Sequence, residues 1–130
     1  MSTIEILAGV AIFALVASGS MVLSIGSMKA TTMSRQATAA ATLIYDKVDQ
    51  LRALDPVTNP ADLAAGSHSD PLNPLAENGQ TGGRFTRTWF VTEDSPAIGL
   101  SEVVITVLWE DYGTRTIRGT TYVCRRAACS

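Results

Sequence analysis

Cysteine, histidine and an excess charge of one sign are all scarce in this 130-residue chain, and each scarcity removes a class of function. The only cysteines are Cys124 and Cys129, and the only histidine is His68. Two thiols near one end and a single histidine in a stretch that reads as loop make a poor zinc set, so no metal is expected. Ten basic against twelve acidic residues leave a net charge of -2. That balance lacks the basic excess of a dedicated nucleic-acid binder. Neither Asn59 nor Asn78 opens an Asn-x-Ser/Thr sequon, and Ser67 and Ser69 flank His68 without a Gly-x-Ser-x-Gly context. The stretch GQTGGR has the glycines of a phosphate loop but not its Gly-Lys-Ser/Thr ending. The acids Asp46, Asp49, Glu93, Asp94, Glu110 and Asp111 suit a helix face and strand ends, and nothing selects two of them for acid–base work. No catalytic residue and no cofactor are expected.

A more telling absence lies at the start of the chain. The 23 residues from Ile6 to Met28, ILAGVAIFALVASGSMVLSIGSM, contain no charge and no proline. As a helix they would extend roughly 35 Å, enough to cross the hydrocarbon core of a bilayer. Met1 to Ile4 carry no basic residue, unlike the charged segment that precedes the apolar core of a secretory signal. One step before the run stands an acid, Glu5. A carboxylate beside so apolar a segment is costly to bury unless a partner compensates it. A plain single-span anchor fits the length but gives Glu5 no purpose.

The opening MSTIEILAGVAIFAL resembles the mature N-terminus of type IV pilins and the related pseudopilins. The resemblance implies that a prepilin peptidase leaves a methylated first residue, here Met1. It implies also that Glu5, at the fifth position, sets axial register against the amino terminus of a neighbouring subunit. Many major type IV pilins carry a proline near position 22, where this chain has Val22. The runs RFTRTWFVTED and EVVITVLWEDYGTRTIRGTTYV are similar to the head of PilV-type minor pilins, and type II secretion minor pseudopilins share a related head. The fold implied is an α+β pilin fold, with one long N-terminal helix packed by its second half on a small antiparallel sheet.

The residues themselves support the same division. Residues 1–55 read as one helix, with 1–28 as the membrane or filament-core segment and 29–55 as an amphipathic half. In that half Ala37, Ala40, Ala41, Ile44, Val48 and Leu51 recur at helical spacing, with Thr38, Thr42, Asp46 and Asp49 opposite. Asp55-Pro56 ends the helix, because proline disfavours the helical conformation in the residue before it. Residues 56–83 hold four of the five prolines and the turn pairs Asn78-Gly79 and Gly82-Gly83, and read as a surface loop. Residues 84–123 read as an antiparallel sheet of at least three strands. Val103, Ile105, Val107 and Trp109 alternate with polar or outward positions and are expected to face the helix. Trp89 and Trp109 are expected in the core or at partner contacts, and His68 as a solvated loop residue. Asp94–Gly99 and Asp111–Gly113 read as turns.

If the head is exported past the membrane, the setting is oxidising and a Cys124–Cys129 bridge is expected to staple the tail, residues 124–130. Charge is unevenly spread. Residues 36–111 carry four basic against eleven acidic residues, net -7, whereas residues 112–130 carry four arginines and no acid. The arginines read as a solvated tail, or as a basic patch meeting an acidic surface on a neighbour. The expected role is a structural subunit of a pilus-like filament, as a minor or the major pilin. Its partners would be other pilin subunits, the inner membrane before assembly and the pilus assembly machinery. The alternatives are a minor pseudopilin of type II secretion and a membrane-anchored periplasmic binding module that does not polymerise.

Overall fold

The computed structural model describes residues 2–55, 58 and 60–125. Helix α1 runs Thr3–Ala53, followed by a 3-10 turn at Ala61–Leu63 and four strands, β1 (Gly66–Ser69), β2 (Thr86–Glu93), β3 (Leu100–Glu110) and β4 (Thr114–Cys124). The chain divides into two compact units, Met1–Arg35 and Gln36–Ser130.

The second unit is an α+β head. Its strands form one antiparallel sheet in the order β1-β2-β3-β4, each hydrogen-bonded to its neighbours in sequence. The expected alternation along β3 holds: Val103, Ile105, Val107 and Trp109 are buried. They face the second half of α1, where Ala40, Leu43, Ile44 and Leu51 are buried and Ala39 and Val48 pack at the margin. The helix stripe is rotated slightly from the expected one. Leu43 is fully buried and Lys47 takes an inward position, while Ala37 lies only half in. Large side chains three and four apart define the seam more strongly than alanines do, since burial free energy scales with apolar area.

One glycine sets how closely α1 and β4 approach. A Cβ at Gly119 would lie 2.6 Å from Ile44 Cγ2, so the strand reaches the helix only because that side chain is absent.

The segment 56–83 is not the plain surface loop its prolines suggest. It supplies β1 as a fourth, edge strand, paired with β2 through Gly66↔Val91, Ser67↔Phe90, His68↔Trp89 and Ser69↔Thr88. Leu63, Asp70 and Leu75 from this segment are buried. The sequence Gly-Ser-His-Ser has no apolar alternation to announce a strand. Register with β2 recruits it, a tertiary effect that local propensity does not carry. Leu75 forms bridges to Thr81 and Phe85, closing a small hairpin-like lobe. At its base a Cβ on Gly83 would come 2.0 Å from the Leu75 carbonyl oxygen, so backbone meets backbone there. The turns at 94–99 and 111–113 lie where expected. The Gly99 N–H donates to Asp94 Oδ1 (2.8 Å), and Asp111 N–H to the Gly113 carbonyl (2.9 Å).

Candidate functional site

Two regions carry chemistry: the apolar first unit and a polar cluster inside the head.

In the first unit α1 begins immediately after Ser2, whose carbonyl accepts from the Glu5 N–H (3.0 Å). Glu5 stands in the first helical turn and is exposed. A carboxylate there also interacts favourably with the helix macrodipole. Every described side chain from Ser2 to Arg35 is exposed, among them Ile4, Leu7, Val10, Phe13 and Leu23. The helix is long and apolar enough to cross a membrane, and none of its most apolar window is buried within the chain. Three hydroxyls bond back to their own helix backbone: Ser18 Oγ donates to the Ala14 carbonyl (2.8 Å), Thr31 to Ser27 (3.0 Å) and Thr32 to Met28 (3.0 Å). Such bonds satisfy polar groups without water and fit the segment for an apolar surrounding. Met1, the expected methylated residue, lies outside the described residues.

In the head, Arg87 is buried near the start of β2, on the inward face, between Phe85 just before the strand and Trp89. Its Nε and Nη2 both donate to Asp70 Oδ2, and Nη1 donates to the Leu43 carbonyl of α1 (2.7 Å). Asp70 Oδ1 accepts from the Leu72 N–H (2.9 Å). Burial pushes the Asp70 carboxyl up, but the Leu72 N–H, the Arg87 hydrogen bonds and charge, and Lys47 together outweigh it and hold it below the usual carboxylate range. Asn73 completes the arrangement with a side-chain amide that imitates a strand. Its Oδ1 accepts from the Arg87 N–H (2.9 Å) and its Nδ2 donates to the Arg87 carbonyl (2.8 Å). One ion pair thus fastens helix, sheet and the segment after β1 to each other.

A second cluster surrounds Trp89. His68 is half-buried on β1, not in a loop: it stacks on the Trp89 ring, with centroids 5.4 Å apart, and its Nε2 donates to the Ala64 carbonyl (2.8 Å). The Lys47 ammonium lies 3.8 Å from the Trp89 ring centroid and 3.3 Å from Asp62 Oδ2. Trp89 Nε1 donates to the Asp62 carbonyl (2.9 Å), and Trp109 Nε1 to Gln36 Oε1 (3.1 Å). Both tryptophans are therefore core residues with satisfied N–H groups. Sequence reasoning missed Gln36, Lys47, Asp70 and Arg87. The signal was available for Arg87, which falls in period-two alternation with Phe85, Trp89 and Val91.

Among the described residues no group of three or more His, Cys, Asp or Glu side chains is placed to hold a metal. Cys124 is disulfide-bonded, and Cys129, its expected partner, lies outside the described residues. The arginines of residues 112–125 do not form a free tail. Arg115 and Arg118 sit on β4, and Arg125 pairs with Glu93 at 2.7 Å. The chain matches no protein-family model, no curated protein and no solved structure.

Proposed function

We propose that this chain is a structural subunit of a type IV pilin-like filament, polymerising through the first half of α1. The observation that carries the reading is an uncharged, proline-free apolar helix face, unburied within its own chain, with one carboxylate in its first turn. Before assembly the segment spans the inner membrane with the head in the periplasm. In the filament it packs against copies of itself or related subunits. Glu5 then enters a surrounding without water, where a lone carboxylate costs several kcal/mol and a neighbour's amine offsets that cost. Only one stagger brings the two together, so the pair fixes register. The reading takes Met1 as the processed, methylated first residue, which the intact mass of the N-terminal peptide tests directly. The runs RFTRTWFVTED and EVVITVLWEDYGTRTIRGTTYV read as similar to PilV-type minor pilins, and stoichiometry in purified filaments separates a minor from a major subunit.

Glu5→Ala tests the register role. The variant should keep a folded head and lose incorporation into sheared filaments. Undiminished incorporation removes it. The second reading, a single-span anchor for a periplasmic binding module, rests on the same helix, and it predicts membrane retention, no filament and indifference to Glu5.

A further inference from the structure

The sheet has two edges, and they are unequal. β1 is four residues long, whereas β4 runs for eleven and pairs with β3 along its whole length without a bulge. Among the described residues no backbone hydrogen bond reaches the outer edge of β4. The strand contains no proline and no lysine, and its run TRTIRGTTYV is rich in threonine and β-branched residues. Long regular edges of this kind are templates for strand pairing, and proteins usually blunt them. Among the described residues nothing covers this edge.

A groove of about 340 Å³ adjoins it, between β4 and the second half of α1. Ile44, Val48 and Ile117 give it an apolar floor, Tyr45 stands exposed at its margin, and Arg52 crosses to Thr121 Oγ1 (2.9 Å). A strand added to β4 would place alternate side chains on the helix side of the sheet, where the groove lies.

Charge decides what kind of strand fits. β4 carries Arg115 and Arg118, both exposed, and no carboxylate, and neither arginine has an ion pair among the described residues. β4 of a second copy would bring no carboxylate to meet these arginines. The other edge of a copy, Gly-Ser-His-Ser, is short and offers no carboxylate either. We propose that the outer edge of β4 and its groove accept an extended, carboxylate-bearing segment of a different polypeptide as a fifth strand. Arg118 stands on the sheet face turned away from the helix, whereas Gly119 and Thr121 face it, so carboxylates on one face of the segment would pair with Arg118 and the alternate apolar side chains would enter the groove. This inference is independent of the filament reading.

The test uses the full chain in neutral detergent micelles and a synthetic nine-residue peptide alternating valine with glutamate or threonine. Three further probes accompany it: the same peptide with lysine in place of glutamate, one N-methylated on alternate backbone amides, and the Arg118→Glu variant of the protein. The expected result is saturable binding by fluorescence anisotropy, with hydrogen-exchange protection gained at alternate amides of β4. N-methylation should abolish it, because it removes the strand's donors. The lysine peptide and Arg118→Glu should each weaken it roughly three- to ten-fold, with circular dichroism unchanged. Absence of saturable binding overturns the proposal, and so does binding indifferent to N-methylation. Concentration-dependent protection of β4 without peptide also overturns it, since the edge would then belong to a second copy. Glu5→Ala should bind the peptide as the unaltered chain does, which keeps this result separate from the filament test.

Discussion

Gly119→Ala probes the closest approach in the head. The added Cβ would meet Ile44 Cγ2 at 2.6 Å, with Ile44 Cδ1 and Cβ at 3.8 and 3.9 Å. Ordinary carbon–carbon contact lies near 3.5–4.0 Å, so about 1 Å of separation must be found. Cγ2 is attached directly to the branched β-carbon of a helical isoleucine, whose χ1 is nearly fixed, and it cannot rotate aside. The strand and helix must therefore part, disturbing a seam that contains Ala40, Leu43 and Ile44. Overpacking of this kind costs about 1–3 kcal/mol. A domain of 60–100 residues loses roughly 4–8 °C of Tm per kcal/mol, so thermal unfolding should shift by about 4–24 °C. The Ile44→Ala background removes the clash, and there the alanine at position 119 should cost little, giving a coupling energy of about 1 kcal/mol or more. Thr120→Ala, exposed on the same strand, should stay within about 0.5 kcal/mol of the unaltered chain. A neutral Gly119→Ala, or equal cost in both backgrounds, would refute the close packing of β4 on α1.

Asp70→Asn should destabilise the head by about 3–5 kcal/mol, because it leaves Arg87 buried without its counter-charge; denaturant melts measure this. The folded-state carboxyl of Asp70 is held low, so its contribution is present above the unfolded value near 3.9 and is lost as pH falls through the folded one. The unaltered chain should therefore lose stability on acidification below about pH 4, and Asp70→Asn should flatten that slope. Gly83→Ala should be more damaging than Gly119→Ala, since the added methyl meets the Leu75 carbonyl instead of a side chain; loss of a cooperative melt is the expected readout. Alkylation of protein from its native compartment without reductant should label neither Cys124 nor Cys129, and labelling of both would refute the bridge.

How much of this was legible in the sequence depended on whether a feature repeats locally. The amphipathic half of the helix and the inward set of β3 follow from periodicities of 3.6 and 2, and the helix end near Ala53 from Asp55-Pro56, local signals that require no knowledge of the rest of the chain. β1 was not legible. Gly66–Ser69 has no apolar side chain, and only its pairing with β2, from Gly66↔Val91 to Ser69↔Thr88, makes it a strand. The buried polar residues were hidden for a related reason. Lys47, Asp70 and Arg87 look like surface residues until the fold supplies Trp89, Asp62 and the Leu43 carbonyl as partners across long stretches of chain. Glu5 and the apolar run stood out at once, because a charge beside 23 uncharged residues is informative without any structure.

The central claim is that the first half of α1 packs against other subunits, and photo-crosslinking measures this most directly. Phe13 is 76% exposed in the isolated chain and lies within the apolar run. Replacing it with benzoylphenylalanine and irradiating sheared, purified filaments should give covalent adducts to the apolar helix of this or a related subunit. Filaments that form without such adducts, or a chain that crosslinks only to lipid and never enters the filament fraction, would contradict the account.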